Sequence, residues 1–135
     1  MTLARPIPET DGLAGSFWKA AENNRLSIQR CLGCHSFQHY ARQVCLTCGG
    51  KTLEFYDVSG SGRVVSCTTI HKSPYDDILT PYVLALVRLD EGVILLTHLV
   101  NGKPNENYCD FSVQLKFADF RDGFKLPVFI LEGQE

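Results

Sequence analysis

Four cysteines in two pairs of identical spacing carry the clearest chemistry in this chain: Cys31-Leu-Gly-Cys34 and Cys45-Leu-Thr-Cys48. Two residues within each pair let both sulfur atoms of a tight turn point at one ion, and ten residues between the pairs allow a short hairpin to bring the turns together. This layout is typical of a tetrahedral four-thiolate site, which is closed to substrate and therefore structural. We expect Zn²⁺ in it, or iron in the same cage, with no histidine ligand. A thioredoxin-type redox pair would lie near a βαβ pattern, and neither pair does.

The two remaining cysteines do not favour nucleophilic catalysis. Cys67 lies in a segment rich in Val and Thr, where a small buried thiol is the usual state. Cys109 precedes Asp110, whose carboxylate would raise the pKa of the thiol. No spacing typical of a Ser/His/Asp set accompanies them. The residues therefore predict no catalytic site of this chain's own.

The four histidines could in principle take part in the metal site. His35 and His39 flank it, and either could replace a cysteine. With four cysteines available, we expect them on the surface or supporting the ligands instead. His71 and His98 stand alone at or within predicted strands, where a hydrogen-bonded structural role is expected.

Composition and charge limit the class of protein. A chain of 135 residues that is 44% hydrophobic can form one globular domain with a core and a small appendage. Six cysteines are too few for a disulfide scaffold, and no leader or membrane-length apolar run is recognisable, so we expect a cytoplasmic protein. A net charge of −2 argues against binding nucleic acid by neutralising phosphates. The charge is nevertheless uneven, being +3 over residues 1–52 and −5 over residues 53–135.

Local patterns predict the elements that lead into the cysteines. Pro6 and Pro8 favour an extended arm. A helix is predicted from Ser16, a good N-cap, to the Asn23-Asn24 stop. Residues 26–30 then alternate as a strand would and enter the first cysteine pair.

After the second pair the pattern changes to strands. Asp90-Glu91-Gly92 is a good hairpin turn, and Ser59-Gly60-Ser61-Gly62 is a turn or bulge rather than a phosphate loop, because no helix follows it. Five or six short strands with no helix among them predict a small closed barrel. Strands are predicted at residues 53–58, 63–70, 82–89, 93–100, 111–117 and 127–131.

Several motifs, taken in order, carry a family resemblance. They are Phe17-Trp18, Arg25-Leu26, Arg30-Cys31-x-x-Cys34, Arg42-x-x-Cys45-x-x-Cys48, Ser59-Gly60-x-Gly62, Pro81-Tyr82-Val83-Leu84-Ala85-Leu86-Val87, Asp90-Glu91-Gly92-Val93 and Leu126-Pro127-Val128-Phe129. With both cysteine pairs in register, the set resembles the acyl-CoA-associated OB-fold proteins with a rubredoxin-like zinc ribbon, the domain of unknown function 35 family. The resemblance spans residues 13–131.

The resemblance implies a mainly β fold in three parts. These are an N-terminal arm and helix (1–25), a zinc ribbon (26–52) and an OB-fold barrel (53–135). Two departures stand out. The family usually has Gly after the second cysteine and Pro-Pro-Arg before the third, whereas this chain has His35 and Tyr40-Ala41-Arg42.

The resemblance also implies a role in acyl-CoA metabolism. Members are similar to the small subunit of phloroglucinol acetyltransferase and to thiolase-partner subunits. We therefore expect a non-catalytic subunit of a thiolase-like acyltransferase or condensing-enzyme complex, bridging subunits and helping to shape an acyl or acyl-CoA site. The alternative, from a different class, is a single-stranded nucleic-acid module, which would need aromatic platforms in a basic groove.

Partner contacts are predicted on the helix and the ribbon hairpin. Aromatic and Arg side chains on small appendages are the usual anchors of a protein interface. Arg42 could fix orientation on a carboxylate or on a phosphate of coenzyme A. The predicted contact residues are Phe17, Trp18, Phe37, Tyr40 and Arg42, although Phe17 and Trp18 could instead fold back onto the barrel.

Overall fold

A computed structural model describes residues 3–132, which form a mainly β structure with one short helix. The predicted strand at residues 82–89 is observed with the same limits, and the others differ by a few residues at their ends. The elements are α1 Ala14–Glu22, β1 Ser27–Cys31, β2 Phe37–Gln38, β3 Leu53–Asp57, β4 Ser61–Ile70, β5 Tyr82–Leu89, β6 Ile94–His98, β7 Ser112–Asp119 and β8 Lys125–Leu131.

Helix α1 begins two residues before the predicted N-cap at Ser16. Leu13 occupies the cap position and makes no side-chain capping hydrogen bond. The C-terminal end agrees with the prediction, because the amides of Asn23 and Asn24 close the last turn on the carbonyls of Ala20 and Ala21. Both alanines are buried, and α1 packs against β1 and β8, which places it between the ribbon and the barrel.

The ribbon is a small antiparallel sheet in the order β2-β1-β3. Its central strand β1 ends at Cys31, so the first cysteine turn leads directly from β1 towards β2. The second cysteine turn precedes β3, which pairs along the whole length of β1. This connectivity brings both turns to one end of the sheet.

The second sheet, in the order β6-β5-β4-β7-β8, curls into a nearly closed barrel. A parallel bridge between Leu99 and Phe129, with the amide of Val100 donating to the Phe129 carbonyl at 3.0 Å, joins its two edges. Gly92, at φ +99°, closes the predicted β5–β6 hairpin turn. The core is formed by inward side chains of all five strands, including Val64, Val87 and Phe129. The fold class predicted from the sequence is confirmed.

Within residues 3–132 no helix has the length and apolar character needed to cross a membrane.

Candidate metal centre and adjoining cleft

The four cysteines of the two pairs meet at one end of the ribbon, and their Sγ atoms all lie within 4.8 Å of one another. The Sγ atoms of Cys31 and Cys48 are 3.7 Å apart, and those of Cys34 and Cys45 are 3.5 Å apart. A tetrahedron with Zn–S bonds of about 2.3 Å has S···S edges of about 3.8 Å. The observed spacing therefore fits a zinc ion held by four thiolates.

Backbone amides of the turns point at these sulfur atoms. The amides of Gly33 and Thr47 lie 3.3 Å from the Sγ atoms of Cys31 and Cys45, in matching positions of the two turns. The amide of Gly50 lies 3.4 Å from Cys48 Sγ. Such donors stabilise the thiolate form, which is the form that binds a metal.

The thiol pKa values show why a cation suits this cluster. Hydrogen bonding with the side chain and backbone of Ser36 lowers the pKa of Cys34 to about 6. The amide of Gly50 also lowers the pKa of Cys48, but contacts with Cys34, Cys31 and Cys45 outweigh it and raise that pKa to about 11. Adjacent sulfur atoms cannot all ionise without a compensating positive charge, which a divalent metal supplies.

The residue after each turn has a left-handed backbone. Gly49 follows the second turn with φ +77°, and His35 follows the first with φ +66°. The family's usual Gly after the second cysteine has a physical reason, because glycine adopts this conformation without strain. His35 adopts it with an exposed side chain, so this departure from the family pattern leaves the turn unchanged in form.

Two buried glutamines, which sequence reasoning missed, hold the segment that enters the second turn. Gln29 Oε1 accepts from the amide of Arg42 at 2.9 Å, and Gln29 Nε2 donates to the Arg42 carbonyl at 2.7 Å. Gln38 Nε2 donates to Gln29 Oε1 at 2.6 Å and to the Val44 carbonyl at 3.1 Å, while Gln38 Oε1 accepts from the amide of Leu46 at 2.9 Å. We call Gln29 and Gln38 the glutamine clamp.

An apolar cleft of about 980 Å³ lies between the ribbon, the helix and the barrel. The ribbon contributes His39, Tyr40 and Arg42, and the helix contributes Phe17 and Trp18. The barrel and the β4–β5 loop supply the opposite wall, which includes Leu79, Leu84, Leu96, Val100, Pro127 and Val128.

Two histidines border this cleft as neutral imidazoles. Burial, together with the charge of Arg42, lowers the pKa of His39 to about 4. Burial and the charge of Arg5 likewise lower the pKa of His98. His39 stacks on Phe17 at 5.2 Å and on Tyr40 at 4.2 Å between ring centroids, and His98 packs edge-on against Tyr82. Both therefore serve in packing, and neither belongs to the cysteine cluster.

The predicted partner-contact residues divide into two groups. Phe17 and Phe37 pack against the hydrophobic core, and Trp18 is half-buried with its ring edge-on to Phe124 at 6.1 Å. Tyr40 is 62% exposed, and Arg42 is exposed with its guanidinium donating to the Ala41 carbonyl. A partner contact by any of them remains a prediction.

An exposed apolar surface on the outside of the barrel was also missed. In β5 and β6 the inward residues are buried, yet the outward residues are also apolar, and Leu86 pairs with Leu96 across the hairpin. Antiparallel strands with one face in water normally alternate apolar and polar residues, so two apolar faces were the available signal. We call this surface the apolar face; it comprises Leu79, Leu84, Leu86, Ile94, Leu96 and Val100.

Neither remaining cysteine stands in a catalytic arrangement in the part of the chain that the structure describes. Cys67 is half-buried in β4, where its Sγ accepts from the amide of Tyr108 at 3.4 Å. Cys109 is exposed in the loop before β7. No cationic side chain is hydrogen-bonded or ion-paired to either thiol among residues 3–132.

Comparison with known proteins identifies the family. Residues 18–54 match the family described as the ChsH2 rubredoxin-like zinc ribbon domain, and residues 56–118 match the ChsH2 C-terminal OB-fold domain. A DUF35 domain-containing scaffold protein of Methanothermobacter thermautotrophicus is 30% identical over 121 residues, covering 87% of this chain and 80% of that protein. The chain belongs to the DUF35 family. Zinc binding at the four cysteines is consistent with this assignment.

Two further relatives extend the comparison. A probable enoyl-CoA hydratase alpha subunit of Thermomonospora curvata is 34% identical over 125 residues, which are 93% of this chain and 39% of that subunit. This chain thus spans about two fifths of the length of that relative. A solved structure titled Ltp2-ChsH2(DUF35) aldolase superposes with a TM-score of 0.83 at 33% identity, covering 94% of this chain and 98% of the matched chain.

Proposed function

We propose that this DUF35 protein is a non-catalytic scaffold subunit that docks on a CoA-acting enzyme of the thiolase, condensing-enzyme, hydratase or aldolase type. The observation that carries the proposal is the apolar face. Its members Leu79, Leu96 and Val100 are 89%, 59% and 45% exposed, and several of its side chains continue into the cleft. A continuous exposed apolar surface of this kind is typical of an interface with another protein.

The relatives support the choice of partner class. One relative is described as a scaffold protein and another as an alpha subunit of a hydratase, and the solved neighbour is described as an aldolase assembly. The zinc ribbon would then stabilise the subunit, in keeping with a structural four-thiolate site.

The cleft supports a second part of the proposal, namely that this chain helps to shape the acyl or acyl-CoA site of the complex. Its walls are mainly apolar, as an acyl group requires. Arg42 stands exposed at the ribbon side, and no carboxylate lies within salt-bridge distance of it among residues 3–132. A phosphate of coenzyme A is the class of anion that such a guanidinium would bind.

The test is co-purification of the tagged full chain from its own cells, with the partner identified by mass spectrometry and assayed for CoA chemistry. We expect a CoA-acting enzyme to co-purify, and Leu96→Arg to remove it because a charge would be buried in the interface. Leu46→Arg is the matched control, since Leu46 is 69% exposed on the ribbon turn and lies off the apolar face.

Three results would contradict the proposal. The partner could be retained by Leu96→Arg, or lost equally in Leu46→Arg, which would move the interface to the ribbon. The purified chain could turn over an acyl-CoA alone. It could also bind a single-stranded oligonucleotide tightly and with strong salt dependence, as the nucleic-acid alternative requires.

A further inference from the structure

The glutamine clamp links the two halves of the metal centre. Gln29 lies in β1 and Gln38 in β2, the strands that flank the first cysteine turn. Their carboxamides hold the backbone of residues 42, 44 and 46, on both sides of Cys45. The second turn is thereby attached to the first by side-chain hydrogen bonds as well as by the metal.

The clamp is nearly fully buried, so its hydrogen bonds are not interchangeable with water. Gln29 is 3% exposed and Gln38 is 8% exposed. Every amide proton or carbonyl that they bind would otherwise be left without a partner in an apolar setting, which is unfavourable. The same carboxamides therefore favour a single path for the backbone between β2 and the second turn.

That path also forms the ribbon wall of the cleft. Arg42 is held through its own amide and carbonyl by Gln29, and the preceding His39 stacks on Phe17, whose ring is 5.0 Å from that of Trp18. A displacement of residues 39–42 would consequently change the surroundings of Trp18, the only tryptophan of the chain.

We propose that the glutamine clamp couples occupancy of the metal centre to the position of the cleft wall. When the four thiolates hold a metal, Cys45 is fixed, and the clamp transmits this restraint to Arg42 and Tyr40. By linkage, a partner or ligand that seats on this wall raises the affinity of the centre for its metal; this second statement rests on the proposed function of the cleft. Gln29 and Gln38 are thus positioning residues that act on the wall and on the ligands without touching the metal.

The first experiment uses the full wild-type chain with Zn²⁺ alone as the probe. Amide hydrogen exchange and Trp18 emission are measured with zinc bound and after chelation. We expect exchange of the Arg42 and Leu46 amides to rise at least roughly tenfold on chelation, and Trp18 emission to shift, while the amides of β8 stay protected. Unchanged exchange at Arg42 together with unchanged emission would overturn the proposal.

The second experiment separates the two ends of the clamp by replacing each glutamine with methionine, which has a similar shape and no amide. Gln38→Met should weaken zinc binding about 10- to 100-fold in a chelator competition, as for other residues that support metal ligands. Gln29→Met should leave the Arg42 amide in fast exchange even with zinc bound, and Trp18 emission should no longer respond to zinc. Gln114→Met is the control, because Gln114 bonds Ser61 at 2.9 Å within the barrel.

The outcomes are distinct from those that test the scaffold function. If both clamp variants match Gln114→Met in zinc affinity and in exchange at Arg42, the coupling does not exist, whatever partner the chain binds. If a clamp variant does not fold, the wild-type comparison with and without zinc decides the question. Loss of the partner in Leu96→Arg, by contrast, bears on docking and leaves these measurements unaffected.

Discussion

His35→Gly is a substitution whose effect can be worked out from the backbone of the two cysteine turns. His35 and Gly49 occupy equivalent positions after the two turns, at φ +66° and +77°. The His35 side chain is exposed and donates no hydrogen bond in the structure, although its carbonyl accepts from Arg30 Nε at 3.2 Å. Glycine would keep that carbonyl and remove only the Cβ.

Two opposing effects set the magnitude. The left-handed conformation costs a residue with a Cβ about 1–2 kcal/mol, and glycine removes that cost. Glycine also has more conformational freedom in the unfolded chain, which offsets about 0.4–1 kcal/mol. We therefore expect a net gain of about 1 kcal/mol in the free energy of unfolding, or a rise in Tm of about 4 °C for a domain of this size.

The assay is urea unfolding and thermal melting of the zinc-saturated full chain, followed by circular dichroism. Gly49→Ala provides the mirror-image control. No atom lies within 4 Å of the position that its Cβ would occupy, so its effect isolates backbone strain. We expect it to destabilise the chain by an amount similar to the gain from His35→Gly.

A loss of stability in His35→Gly, with the expected loss in Gly49→Ala, would refute this reasoning. It would mean that the imidazole makes a contribution larger than the strain. No change in either variant would also refute it, because the ribbon would then not unfold together with the rest of the chain.

Three further predictions concern the metal and the titrating groups. Cys45→Ser should release about one metal ion per chain, measured by elemental analysis, and loosen residues 31–48 while the barrel stays folded; full retention of metal would contradict the ligand assignment. His39 should make stability depend on pH, because burial and Arg42 hold its folded pKa at about 4 whereas the unfolded histidine titrates near pH 6.5. Protons then favour the unfolded state as the pH falls from about 6.5 to 4, so the stability of wild type relative to His39→Phe should decline over that range, and a constant difference would contradict the burial. Cys67→Ala and Cys109→Ala should leave the activity of the assembled complex nearly unchanged, and a fall in kcat of about 10³-fold with the complex intact would show a catalytic thiol.

The sequence predicted the strands because their signals are local. Residues 82–89 and 127–131 alternate or run apolar between turn residues, and the observed β5 and β8 follow them closely. The start of α1 was less accurate, since the favourable cap at Ser16 was not used and the helix begins at Ala14 without a side-chain cap. Packing of the buried Ala20 and Ala21 between β1 and β8 outweighs a capping hydrogen bond at an exposed end.

The exposed surfaces could not be placed in the same way. Phe17 and Trp18 were predicted as partner contacts, with packing on the barrel as the alternative, and the structure shows both rings half-buried. Periodicity indicates which residues share a face of a helix or strand, but it does not identify what that face meets. The outward leucines of β5 and β6 belonged to the same apolar runs as the core residues, and only the pairing of Leu86 with Leu96 on the outside of the sheet distinguishes them.

The amino-acid sequence by itself determined the metal centre and the order of the elements. Ligand spacing within a turn, thiolate chemistry and residue periodicity are properties of short segments, and they survive any arrangement of the rest of the chain. The tertiary structure alone decided the glutamine clamp, the cleft and the apolar face. Each of these depends on side chains brought together from distant segments, as when Gln29 reaches the backbone of Arg42. Whether a glutamine is buried and bonded or exposed to water is set by the neighbours that folding supplies.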